Sequence, residues 1–148
     1  MKLFIGGSKT IGKLPDKAAE TIAAACRDGH EILIGDCYGI DLAVQRLLTG
    51  LEYENVTVFT ACQTARNNIR NWPEQRIATD QTGYAAHRAK DEAMIDACDL
   101  AILIWDGSTK GTRANLETLR HAGKRCILLD RYGEAMDGND KIKKRKAE

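Results

Sequence analysis

The sequence predicts a single α/β domain in three layers, a mostly parallel five-stranded sheet flanked by helices. Short apolar β-rich runs alternate with stretches of helical period along nearly the whole chain, the pattern of strands joined by crossover helices. Each expected strand is a near-continuous apolar run, as a strand covered on both faces must be. A chain of 148 residues with 43% hydrophobic content is enough for one core and too short for two full domains.

The first strand is expected from Leu3 to Gly6. A helix follows from Asp16 to Asp28, where Ala19, Ile22, Ala23 and Cys26 recur at i, i+3, i+4 and i+7, with Pro15 near its start and Gly29 stopping it. The second strand, Glu31 to Gly35, leads through Gly35-Asp36-Cys37-Tyr38-Gly39 into a helix. There Ile40, Ala43, Val44, Leu47 and Leu48 form one apolar face before Gly50 ends it. The third strand, Asn55 to Thr60, is more mixed in character. A third helix from Tyr84 to Ala97 sets Ala86, Ala89, Ala93, Met94 and Ala97 on one face, small residues suited to close packing on a sheet. The fourth strand runs from Leu100 to Trp105, the fourth helix from about Thr112 to Ala122, and the fifth strand from Arg125 to Leu129. Between Ala61 and Gly83 the chain is polar and has neither period, which marks a functional loop or a short helix.

The charged fraction is 29% and no apolar run reaches the roughly 20 residues that span a bilayer, so no membrane partner is expected. Met1 to Gly7 is too short an apolar stretch for a signal-peptide core, and the expected location is cytoplasmic. Five cysteines, an odd number without a C-x-x-C pair, argue against a disulfide framework and a structural zinc site, and Cys26, Cys98 and Cys126 read as buried thiols. His30, His87 and His121 share no ligand spacing, so neither a metal nor a cofactor is expected. The net charge of +1 conceals a run of Lys141, Lys143, Lys144, Arg145 and Lys146. The domain is therefore drawn as 1–132 with a basic tail at 133–148, which is either a solvated end or a contact for nucleic acid.

In an open parallel sheet the ligand crevice lies at the carboxyl ends of the strands. Three junctions there are rich in glycine: Gly6-Gly7-Ser8-Lys9, Gly35-Asp36-Cys37-Tyr38-Gly39-Ile40-Asp41, and Asp106-Gly107-Ser108-Thr109-Lys110-Gly111-Thr112. Glycine lets the backbone approach a phosphate, and a helix N-terminus offers free N–H groups and partial positive charge. Ser8, Ser108, Thr109 and Thr112 add hydroxyls, and Lys9 or Lys110 adds charge. Neither G-x-x-x-x-G-K-[ST] nor G-x-G-x-x-G occurs, so an ordinary nucleoside triphosphatase or dehydrogenase is unsupported. The carboxylates Asp36, Asp41, Asp91 and Asp106 on this rim are candidates to hold ribose hydroxyls or to act as acid, base or nucleophile. Asp41 reads equally as a helix N-cap. Arg66 and Trp72, in the polar 61–83 stretch, are candidates for a phosphate contact and for stacking on a base.

These junctions, with Lys90-Asp91-Glu92-Ala93-Met94 leading to Cys98-Asp99, resemble the SLOG superfamily over about residues 3 to 130. That Rossmann-like group includes DprA-type DNA-processing proteins and LOG-type phosphoribohydrolases. The resemblance implies a Rossmann-like fold, a ribose phosphate across the glycine loops, and a homodimer or homotetramer. LOG-type enzymes carry P-G-G-x-G-T-x-x-E, whereas here Thr112 is followed three residues later by Asn115. Asparagine cannot serve as a carboxylate nucleophile. Glu117 lies about 200° further round a regular helix and would enter the site only if the helix start were irregular.

The expected function is thus binding of a nucleotide or nucleotide-derived signal molecule by a sensor, carrier or sequestering protein. The alternative is an N-glycosidase or deoxyribosyltransferase-like enzyme in which Asp36, Asp41, Asp91 or Glu117 replaces the missing glutamate. DNA binding through the basic tail is a third expectation.

Overall fold

Runs with strand character and runs with helical period succeed one another in the structure as they do in the chain. The computed structural model describes residues 1–136. In order they form β1 (Lys2–Gly7), α1 (Asp16–Arg27), β2 (Glu31–Gly35), α2 (Ile40–Gly50), β3 (Val56–Thr60), β4 (Glu74–Arg76), α3 (Gly83–Ala97), β5 (Leu100–Ile104), α4 (Lys110–His121) and β6 (Arg125–Leu129). The strands pair in the order β4-β3-β2-β1-β5-β6, all parallel. The chain winds outward from β1 to β4, then crosses back to add β5 on the free side of β1, so the direction of winding reverses between β1 and β5.

Strand side chains alternate across the sheet, which gives each strand two apolar faces. Leu3, Ile5, Ile32, Ile34, Val58 and Ile104 pack with Ile22 of α1 and Val44 and Leu48 of α2. Phe4, Leu33, Phe59, Leu103 and Leu128 point the other way, against Met94 and Ile95 of α3 and Leu116 and Leu119 of α4. Lys124 closes the carboxyl end of α3 by donating to the carbonyls of Ile95, Asp96 and Cys98 at 2.7, 2.7 and 2.8 Å. A helix C-terminus has carbonyls without partners and favours positive charge, so one lysine satisfies both needs.

The sheet has six strands, one more than the sequence reading predicts. β4 is exposed at each of its residues and pairs with β3 from Val58↔Glu74 to Thr60↔Arg76. A charged edge strand of this kind buries no face and so leaves no apolar pattern. The segment leading to it is built by side chains bonding to backbone. Gln45, fully buried, donates to the carbonyls of Gly35 and Asn67 at 3.1 and 2.9 Å and accepts the Ile69 N–H at 3.1 Å. Asn68 accepts the Trp72 N–H at 2.9 Å and donates to the Trp72 carbonyl at 2.8 Å.

These bonds corrected one expectation about the site. Trp72 is 3% exposed in the α1–α2 layer, and its indole N–H donates to the Tyr53 carbonyl at 2.9 Å. Its ring is committed to the core and offers no face to a base.

After β6 the chain turns back. Leu129 bridges Ala135 in antiparallel fashion, the Met136 N–H donates to the Leu128 carbonyl at 2.8 Å, and Lys17 meets Glu134 at 2.5 Å. The basic residues Lys141 to Lys146 lie outside the described residues. All five cysteines are free, and burial raises the thiols of Cys26, Cys98 and Cys126, Cys26 to about 11 and Cys126 to about 12. No helix among the described residues is long and apolar enough to cross a membrane.

Because Trp72 joins the polar connection to the core, Trp72→Ala is expected to cost about 3 kcal/mol or more. Urea unfolding followed by far-UV circular dichroism checks this; a loss below about 1 kcal/mol would contradict it.

Candidate functional site

Where the winding reverses, the connections leaving β1 and β5 diverge to opposite layers and leave a crevice beyond the strand ends. A pocket of about 400 Å³ opens there. Its floor is Phe4 and Met94; its walls are the loop after β1, the first turn of α4 and one side of α3. Of the residues singled out in the sequence, Gly6, Gly7, Lys9, Asp41, Arg66, Asp91, Lys110, Gly111, Thr112 and Asn115 line it.

Asp106, Ser8 and Ser108 brace the rim instead. Asp106 accepts the Thr10 hydroxyl at 2.5 Å and the Ser108 and Thr109 N–H groups at 2.8 and 2.9 Å. Burial pushes its carboxyl up, but these bonds outweigh it and hold the group well below the usual carboxylate range. Ser8, fully buried, bonds the Thr109 hydroxyl at 2.6 Å and accepts the Asp106 N–H at 2.9 Å, stitching the loops after β1 and β5 together. Gly107 makes a turn within the loop between β5 and α4 at φ 87°. Glu117 faces solvent outside the pocket, because α4 is regular from Lys110 and carries it away. That removes it from the site.

Packing accounts for Gly7, Gly35 and Gly39 among the site glycines. A Cβ on Gly7 would stand 2.2 Å from the Ile104 carbonyl oxygen, and one on Gly35 would stand 2.5 Å from the Asp41 carboxylate. Gly39, with φ 71°, would meet the Lys9 backbone at 2.5 Å. Gly107 and Gly111 differ, since a Cβ on either meets nothing within 4 Å; Gly107 has a positive φ to require it and Gly111 does not.

Under the pocket lies a charge cluster centred on Asp36, which has no exposure. Its carboxylate accepts the Thr60 hydroxyl at 2.7 Å, the Arg66 N–H at 3.0 Å and the Arg66 guanidinium at 2.9 Å, with Lys90 Nζ at 3.5 Å. Burial alone would raise its pKa; the Arg66 and Thr60 bonds and the Lys90 charge prevail and hold it well below the usual range. Asp36 is therefore a foundation beneath the pocket and does not line it.

Asp41 sits in the first turn of α2, whose cap position is Gly39, so the N-cap reading is set aside. Its carboxyl accepts the Cys37 N–H at 3.1 Å. Burial raises it from 3.8 to about 6; Lys90 opposes this, and the charges of Asp91 and Asp36 add to it. Lys90 is 3% exposed and 3.6 Å from Asp91; burial disfavours its charge, but Asp91, Asp41 and Asp36 together hold its pKa above the ordinary value.

Asn115 has both ends of its amide engaged, accepting from Arg88 and donating to Asp91 at 3.1 Å. Arg88 also meets Asp91 at 3.7 Å and Glu92 at 3.8 Å. Beside it His87 is held below its ordinary pKa by burial and by the Arg66 and Lys90 charges. Tyr84, His87, Arg88 and Lys90 were not singled out for chemistry in the sequence. The signal was there: Tyr84, His87, Arg88 and Asp91 repeat at i, i+3, i+4 and i+7, a polar stripe beside the alanine face of α3.

The charges are segregated. Arg66, Arg88 and Lys90 each face a carboxylate, whereas Lys9 and Lys110 form no ion pair among the described residues. The Lys110 ammonium lies 4.4 Å from the centroid of the Tyr84 ring.

No protein-family profile matches the chain, and no curated protein matches it in sequence. Among solved structures it is similar to DNA processing protein A from Helicobacter pylori, reported for a single-stranded DNA binding mode of that protein. The identity is 15% and the TM-score 0.69, over 99% of this chain and 73% of that chain. The likeness is one of fold, a Rossmann-like α/β domain.

Asp41 makes stability fall as pH rises. Its proton is held more tightly in the folded chain, so the stability it contributes is fully present below its unfolded value and is lost as pH rises through about 6. Relative to Asp41→Asn, the unaltered chain should lose on the order of 2 kcal/mol between about pH 4 and pH 7. Urea midpoints of both proteins at the two pH values measure this, and a constant difference would refute it.

Proposed function

We propose that this chain binds a nucleotide or nucleotide-derived small molecule in the β1–β5 pocket, without cleaving it. The observation that carries the reading is Gly111. Neither a positive φ nor a close neighbour requires glycine at this second residue of α4, and the space around it is open. Its position on the pocket wall, in the first turn of α4, lets an anion approach N–H groups that no carbonyl of the helix can reach. Lys9 and Lys110, without ion-pair partners among the described residues, flank that approach. The pocket is also of small-molecule size, within the roughly 300–1,000 Å³ usual for such sites.

DNA processing protein A binds single-stranded DNA. A nucleotide within a strand carries the same phosphate, sugar and base, so a short single-stranded oligonucleotide belongs beside the mononucleotides in any test.

A second reading is favoured by the two pocket carboxyls. Asp41 retains its proton up to about pH 6, while Asp91 is held by Arg88, Lys90 and Asn115. A proton donor beside a cation-held carboxylate is the arrangement used to release a base from a ribose or deoxyribose phosphate.

Isothermal titration with nucleoside monophosphates, cyclic and dinucleotide signals and an oligonucleotide, with chromatography for free base, separates the readings. Saturable micromolar binding with the ligand recovered intact is expected. Gly111→Ala should leave the fold as stable or up to about 1 kcal/mol more so, yet weaken binding about tenfold or more. Absence of binding to every probe would overturn the proposal. Free base formed with turnover, and lost in Asp41→Asn or Asp91→Asn, would establish the second reading.

A further inference from the structure

We propose that Tyr84 is the surface on which the base of the bound nucleotide stacks, with Lys110 leaving that ring to meet the phosphate; this rests on the nucleotide reading of the pocket. Tyr84 lines the pocket from the first turn of α3 and is 47% exposed, so much of its ring is unused by folding. Of the other aromatic residues near the pocket, Tyr38 is 60% exposed but does not line it, and Phe4 and Trp105 are already engaged. Phe4 is 1% exposed as part of the floor. Trp105 donates its indole N–H to the Thr109 carbonyl at 3.0 Å and carries the Arg113 guanidinium on its ring.

The present occupant of the Tyr84 ring is easily displaced. The Lys110 ammonium, 4.4 Å from the centroid, has no carboxylate to hold it. A cation on an exposed aromatic face is a weak contact, and a base stacked on an aromatic side chain is a stronger one. A phosphate at the first turn of α4 would draw the ammonium toward itself, since Lys110 begins that helix. The face of the ring is then free for the base. The Lys110 side chain thus reaches from the start of α4 to the Tyr84 ring, so both lie on the one pocket. Because every base has a flat face, this contact selects a nucleotide over a bare sugar phosphate and not one base over another.

The test measures adenosine monophosphate and ribose 5-phosphate against the unaltered chain, Tyr84→Ala, Tyr84→Phe and Lys110→Met by isothermal titration, with thermal melting to verify each fold. Tyr84→Ala should weaken the nucleotide about tenfold or more and leave ribose 5-phosphate unchanged. Tyr84→Phe should retain both affinities, and Lys110→Met should weaken both. Tyr84→Leu, which keeps apolar bulk but has no flat face, should reproduce the alanine result and replaces it if that variant melts early. Equal loss of both ligands in Tyr84→Ala, or no loss of the nucleotide, would overturn the Tyr84 assignment while leaving the nucleotide reading intact. An unaltered chain that binds neither probe would overturn the Tyr84 assignment, and absence of binding across the wider panel as well would overturn the nucleotide reading.

Discussion

The carboxylate of Asp36 is the interaction on which the rest of the site depends. A fully buried charge is tolerated only when its partners are in place, and these come from three separate parts of the chain: Thr60 at the end of β3, Arg66 in the connection to β4, and Lys90 on α3. Each partner is tethered to Asp36 and also serves a neighbour. Lys90 continues to Asp91, and Arg66 lies 3.4 Å from His87. The carboxylate thereby determines how α3 sits over the sheet. Its contribution is positional: it gives an irregular connection one arrangement, which a purely apolar contact would specify less sharply.

Around that anchor the pocket has two electrical zones. Inside, three cations meet carboxylates and the charges are internally compensated, with Asp41 as the member most sensitive to pH. Outside, the rim has lysines with no carboxylate and the start of a helix. An anion is favoured at the mouth, and the interior suits neutral hydrogen-bonding groups such as sugar hydroxyls. Asn115 belongs to the interior zone, where its amide links Arg88 to Asp91 and satisfies both without adding charge.

The parts of the fold that bury an apolar face were legible in the sequence, since burial imposes a period. β2, α2 and β6 begin and end where their patterns do. β4 was not legible because it buries nothing, and Trp72 was misplaced because its surroundings are polar in sequence while its ring is in the core. At the site, the glycine junctions were identifiable but their reasons were not. Gly7, Gly35 and Gly39 are required by close approach between segments far apart in the chain, whereas Gly111 has open space around it. Only coordinates separate the two cases. The α3 stripe was written in the sequence at helical spacing, but the alanines beside it carried the stronger signal.

The scarcity of unpaired cations at the pocket mouth has a consequence for counterions. A strand of nucleic acid binds by releasing the ions condensed on it, in proportion to the phosphates that protein cations neutralise. With Lys9 and Lys110 as the pocket cations lacking ion pairs among the described residues, a single strand held here would show a log–log salt slope of only roughly −1.4. Added salt would therefore loosen an anion at this mouth only gently.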